Sequence, residues 1–380
     1  MALLDLFSDV RRVPAECVVE LDGGEISDMY PALVEVNVDT DRTKWTTAML
    51  IFETRRVEDG SWSVQDDERF KPWVTIKIMA VFGNETEEVM RGYIREVKAE
   101  YPREKGTGKV TITCQDESIL MDRTHVEQRW GEDVTINDGQ IATEIAERHN
   151  VQLLQPPTDG QPVQDLNQNT TDARFLQKRA QANKFEVIFR EGKMYFGEMR
   201  LDNNANVQPT IKVYAGTDTN CINFNIEDDG HMPDRIAYQL AAEVGANSDP
   251  ATEVTPNLAI LGNEAVDSSS SGLGDFVWRP SRQGVSNDEQ MAVIAQQIAN
   301  EQAMKIKVRG ELDSSLYGHV LLTGELVGVD GVGDRYGGIY YVDTVQHKFN
   351  SDGYKSSFRL IRNAYGDNLP EQDNPLAAVL

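Results

Sequence analysis

Residues 337–366 read GGIYYVDTVQHKFNSDGYKSSFRLIRNAYG. Two glycines lead a long run rich in β-branched and aromatic residues, Gly353 marks a short polar break, and YKSSFRLIRN returns. A run, a tight turn and a return run describe a β-hairpin. The same pattern occurs earlier in the chain. RGYIREVKAEY (91–101) passes through a turn holding Gly106 and Gly108 into KVTITCQD (109–116). Two hairpins of one design, each closing a β-rich stretch, point to two related barrels in one chain.

Outward from these hairpins, alternation continues. In ALVEVNVDT, Val34, Val36 and Val38 fall on one face and Glu35, Asn37 and Asp39 on the other. Val74, Ile76 and Ile78 repeat the pattern, as do Tyr93, Val97, Ala99 and Tyr101, and then Val110, Ile112 and Cys114. Period-two alternation is what a half-buried strand requires, because successive side chains point to opposite faces. Residues 1–125 are therefore read as a first β-barrel domain.

Residues 126–205 change character. Asn137-Asp138-Gly139 opens a helix with Ile141, Ala142, Ile145 and Ala146 on one face. A second helix starts at Thr171-Asp172 and carries Phe175, Leu176, Arg179 and Ala180 at helical spacing. EVIFR and KMYFG then flank Glu191-Gly192, a two-residue hairpin turn. This stretch is a small α+β domain. Strands resume from 206 to 365 as a second barrel, interrupted by an irregular loop, 246–284, and a helix, 286–303. Ser286 and Glu289 form an S-x-x-E capping box, and Met291, Ile294, Ala295, Ile298 and Ala299 line one side. Residues 366–380 read as a flexible tail. The fold class is thus mainly β (α+β): two related antiparallel β-barrel domains with a small α+β domain between them.

The length of 380 residues suits two or three domains, and 40% hydrophobic content supplies their cores. No run approaches the roughly 18 apolar residues of a transmembrane helix. The opening MALLDLFSDVRRVPAE has acids inside its apolar run and bases after it, the reverse of a secretory signal, so synthesis in a cytoplasm is expected. Cys17, Cys114 and Cys221 lie far apart and read as free thiols. The net charge of −25 opposes specific nucleic-acid binding, although a conduit through which DNA passes should itself be acidic.

Catalytic, metal and cofactor motifs are not found. His125, His149, His231, His319 and His347 lack zinc spacing. Gly106-Thr107-Gly108-Lys109 and the glycines at 328, 331 and 333 lead into strands, so neither makes the helix N-terminus that binds phosphate. Asp39/Asp41 and Glu227-Asp228-Asp229 lack a calcium loop and read as solvated turns. Trp45, Trp62, Trp73, Trp130 and Trp278 are read as packing residues, with a sugar platform as the alternative.

The order of these segments resembles the late control gene D family, the baseplate hub proteins of contractile phage tails and related contractile injection systems. PAECVVELDGGEI, Val89 to Ile94 and VTITCQDESILMDR are similar to the first barrel of that family. TDARFLQKRAQANKFEVIFREGKMYF is similar to its middle helix and hairpin, with Asn183-Lys184 where glycine is usual. The 337–366 stretch matches its most specific motif, ending in Arg362-Asn363. The resemblance implies a non-enzymatic hub forming a homotrimeric ring. It would join a six-fold tail tube protein to a three-fold central spike protein, seed the tube and line the delivery channel. It also implies contacts with other baseplate proteins of wedge or peptidoglycan-binding type, a separate spike chain, and a place in a virion tail baseplate or an extracellular contractile particle. A tail-tip cell-wall hydrolase and a β-rich carbohydrate-binding adhesin stand as alternatives. Within loop and tail, Phe276, Trp278, Leu376 and Leu380 are the expected partner contacts.

Overall fold

The computed structural model describes residues 15–101, 107–202, 207–239, 251–267, 272–280 and 288–369. Ser286, Leu376 and Leu380 lie outside them. The chain is mainly β, and it divides into two compact units. The first holds residues up to 198 together with 311–323 and 344–358; the second holds 199–310, 324–343 and the chain from 359 onward.

The first unit is built on strands β1 (Ala15–Leu21), β2 (Leu33–Asp41), β3 (Lys44–Thr54), β4 (Thr75–Phe82), β5 (Glu85–Glu100) and β6 (Gly108–Asp116). Antiparallel pairing places them in the order β2-β3-β6-β5-β4-β1, and residues 344–349 of the strand Gly338–Asn350 pair with the free side of β2. One face of every strand reaches the same core. Val19, Val38, Phe52, Ile78, Ile94 and Ile112 are all buried in a single cluster that also takes in Phe349 and Tyr354. A sheet whose strands share one core on one face must curl around it.

Two expected faces shift by one residue. Val34 is 46% exposed rather than buried beside Val36 and Val38, because the register slips between Leu33 and Glu35. In β5 Tyr93 does not join the core face; Ile94 is fully buried, and a slip between Ile94 and Glu96 brings Val97 and Ala99 back onto the core. A β-bulge adds one residue and inverts the alternation beyond it. Gly92 precedes this bulge. A Cβ there would lie 2.0 Å from the Gln115 carbonyl oxygen of β6, so the close approach of two backbones demands glycine.

The same unit carries helices α1 (Asp138–Arg148) and α2 (Asp172–Asn183). A capping box between Asn137 and Gln140 starts α1, and its four expected apolar residues are buried. The first residue of each helix is an aspartate gripped by the second half or C-cap of the other. Asp138 accepts from Arg179 Nε and from Asn183 Nδ2 at 2.7 Å. Asp172 accepts from Arg148 Nη1 at 3.0 Å and from His149 Nε2 at 2.8 Å. Each carboxylate sits at a positive helix N-terminus, and Arg148 sits at the negative C-terminus of α1, so the clasp also complements the macrodipoles. Lys184 ends α2 at φ 57°, ψ 32°, the left-handed position where glycine is usual. Glu191 and Gly192 both take positive φ, as a two-residue hairpin turn requires.

In the second unit, the strand Arg235–Tyr238 lies between Thr252–Val254 and Val277–Trp278, with helix α3 (Asp288–Gln302) packed on it through Ile236, Ala295 and Ala299. Glu264–Ala265 pairs with Ala364–Tyr365. The described parts of 246–284, expected to be irregular, thus contain three short strands. Their order comes from distant partners. The buried Arg362 guanidinium donates to the carbonyls of Leu261, Gly337 and Gly366 and covers the Tyr340 ring at 5.0 Å. Asn363 accepts from Leu261 N–H at 2.9 Å and donates to the Ala259 carbonyl. The terminal Arg-Asn of the longest motif is a clamp for chain a hundred residues away.

Candidate functional site

Two surfaces are candidates. The first is the outer face of the curled sheet. Cross-strand register lays out its rows: Lys348, Asn37, Met49, Thr113 and Glu96 form one, and Gln346, Asp39, Thr47 and Gln115 the next. Glu35, Ile51, Thr111 and Lys98 form a third. These side chains face away from the core because their neighbours in sequence face it.

The charge on this face is largely paired. Lys348 Nζ lies 2.9 Å from Glu35, whose pKa it lowers, and Lys98 lies 2.6 Å from Glu100. Gln346 donates to Asp39 at 2.7 Å. The face is a field of hydroxyl and amide groups with carboxylates and ammonium groups interspersed. Such a surface offers a polyanion or an extended polypeptide no cationic track to bind.

The second candidate surrounds Phe276 and Trp278 in the second unit, 38% and 42% exposed. Phe276 is clamped rather than loose. Its carbonyl accepts from Asp234 N–H at 2.9 Å, and its own N–H donates to Asp234 Oδ2 at 2.8 Å. The other oxygen of Asp234 holds Lys305 Nζ at 2.5 Å in a buried ion pair. The Phe276 ring stacks on His231 with centroids 5.3 Å apart. Arg235 reaches Asp275 at 2.7 Å and Glu253 at 3.4 Å. Trp278 pairs with Ile236 and so shares its face, at the sheet edge. A cavity of about 240 Å³ opens beside this cluster between Asp234, Ile260, Val266 and Lys305, smaller than the roughly 300–1,000 Å³ of small-molecule sites. Leu261 is fully buried, and Leu258 packs against the same cluster.

The remaining residues singled out in the sequence take structural places. His347 is buried, with Nδ1 2.8 Å from the Tyr354 hydroxyl, and burial pushes its pKa down to about 3. Asp116 accepts from Thr46 N–H at 2.7 Å and from Ser118, while burial pushes its carboxyl up to about 6. Asp228 is gathered in by the hydroxyls of Tyr336 and Tyr365. Trp130 is buried, and Trp73 in the first unit and Trp278 in the second are half-exposed. Among the described residues no three His, Cys, Asp or Glu side chains are arranged to hold a metal ion. No described helix is long and apolar enough to cross a membrane. Sequence reading missed one pairing, Arg123 over the Trp73 ring, because fifty residues separate the two and no motif joins them.

Comparison with known proteins gives a fold and a family. The 43 kDa tail protein of prophage MuSo2 from Shewanella oneidensis is similar with a TM-score of 0.66 at 12% identity, over 92% of this chain and 98% of that one. A tail protein from Neisseria meningitidis MC58 gives 0.59 at 12% identity, over 92% and 97%. An E. coli component of the type VI secretion system, c3393, described as similar to the T4 tail proteins gp27 and gp5, gives 0.53 at 11%, over 93% and 79%. At such identities the likeness is one of fold. No curated protein matches the chain. A family described as the Alg8 N-terminal domain matches residues 13–351. The chain has the fold of phage tail proteins, and it belongs to the Alg8 N-terminal domain family.

Proposed function

We propose that this protein is a non-catalytic baseplate hub of the late control gene D type. In this reading three copies form a ring that joins the tail tube to the central spike and seeds the tube. The observation that carries the reading is the end-to-end likeness of its fold to a tail protein of nearly equal extent. The paired, hydroxyl-rich outer face of the sheet supports a channel lining past which cargo slides without sticking. Its place would be the tail baseplate of a virion or an extracellular contractile particle, beside wedge or peptidoglycan-binding proteins.

Phe276 and Trp278 are proposed contacts to a neighbouring copy, tube or spike, with Leu376 and Leu380 of the tail. Aromatic anchors at interfaces often contribute about 2 kcal/mol or more each. The test is reconstitution. The chain is mixed with candidate tube and spike proteins, and the products are weighed in solution and imaged by electron microscopy. Rings bearing both partners are expected, and Phe276→Ala with Trp278→Ala should weaken their capture. A chain that captures neither partner, or that degrades cell wall through a single replaceable side chain, would overturn the hub reading.

A further inference from the structure

Trp73 stands out in the first unit. It is 45% exposed, and its backbone takes φ 77°. A bulky residue in that region is strained, and strain persists where the surroundings hold it and function uses it. The Trp73 N–H donates to the Ile94 carbonyl at 2.7 Å. The Arg123 guanidinium lies 4.2 Å from the centroid of the indole ring. Among the described residues Arg123 pairs with no carboxylate. Asp122, next in sequence to Arg123, is taken by the exposed Arg174 at 3.1 Å. An indole and the unneutralised Arg123 guanidinium therefore share one exposed spot on a chain of net charge −25.

We infer that the Trp73–Arg123 patch is a contact through which one copy of this chain binds a carboxylate-bearing face of a second copy. The inference rests on the proposed ring of copies and adds the place of contact. Two bodies of charge −25 repel, so association at physiological salt needs local charge of the opposite sign where they meet. This patch supplies it, and a second copy, rich in exposed aspartate and glutamate, supplies the partner. Trp and Arg are also the residues most enriched among interface anchors, and stacking holds the guanidinium in place before contact.

Sedimentation of the full chain over stepped concentrations tests this, with thermal melting as the control for folding. The parent is expected to self-associate. Arg123→Ala, Arg123→Glu and Trp73→Gly should each raise the dissociation constant by at least about ten-fold, with charge reversal strongest. Arg129→Ala, at an exposed arginine already paired with Asp165, should leave it unchanged. Glycine accepts φ 77° freely, so Trp73→Gly should keep the melting temperature while losing association; if it fails to fold, the two Arg123 variants decide. Association by the Arg123 variants at parental strength overturns the patch while leaving the ring intact. A parent chain that stays monomeric at all concentrations also overturns the patch, and the hub reading is then judged by capture of tube and spike alone.

Discussion

The sheet between Leu33 and Asp116 and the segment between 251 and 280 reach order by opposite routes. In the sheet each strand carries its own instruction, since every second residue is apolar and the core is where those residues meet. In the segment the local pattern is poor, and order is imposed from outside by Arg362 and Asn363, which supply hydrogen bonds the segment cannot make for itself. The difference shows that one chain can be hydrophobically specified in one region and polar-clamped in another. It also predicts different responses to mutation.

The largest effect is expected at the clamp. Arg362→Met leaves the carbonyls of Leu261, Gly337 and Gly366 without their shared donor and should cost about 3–5 kcal/mol in urea unfolding. Arg362→Lys should not restore it, since an ammonium lacks the planar fork. In the sheet, Phe52→Ala should cost about 3–5 kcal/mol through its cavity. If Arg362→Met costs as little as a surface change, the segment has order of its own and the contrast between the two regions fails.

The buried titratable groups of the sheet unit sharpen the comparison through pH. The folded pKa of His347, about 3, lies below the unfolded value of 6.5. Its contribution is complete above pH 6.5 and is lost as pH falls, by about 2 kcal/mol at pH 5. Asp116 has the opposite sign. Its folded pKa, about 6, lies above the unfolded 3.8, so stability is present below pH 4 and lost as pH rises through 6, by about 3 kcal/mol. The two slopes oppose each other between pH 4 and 6. Denaturation across that range should show His347→Gln and Asp116→Asn diverging from the parent in opposite directions. Parallel curves would refute the assignment.

Smaller effects follow. Lys184→Gly should stabilise by up to about 1 kcal/mol, because the left-handed C-cap of α2 suits glycine and the lysine pays a steric cost there. A measured loss would mean that the lysine side chain is itself anchored. Val34→Ala should change stability by less than about 0.5 kcal/mol, although the alternation of β2 places it beside two core valines. A core-sized loss would show that the bulge is absent in solution.

Much of the molecule was legible in its residues. The strands of the first unit, both helices of the α+β stretch with their caps, and the two-residue turn at Glu191-Gly192 follow from period, capping and turn chemistry, which act over a few residues. The bulges in β2 and β5 were not legible, since a one-residue slip leaves composition unchanged and is set by what the partner strand allows. The candidate contacts Phe276 and Trp278 could be picked out as apolar residues in a long segment, but the clamp of Asp234, Lys305 and His231 around Phe276 could not.

By itself the sequence determined which stretches form strands or helices and which faces of them seek a core, because side-chain periodicity encodes that locally. Only the tertiary structure decided that residues 311–323 and 344–358 join the first unit although they lie within the stretch 206–365, that Arg362 orders chain a hundred positions away, and that Arg123 stacks on Trp73. These depend on pairings between residues distant in sequence. Strand order and long-range hydrogen bonds are chosen by the competition of whole surfaces for burial, and no local window of the chain contains that competition.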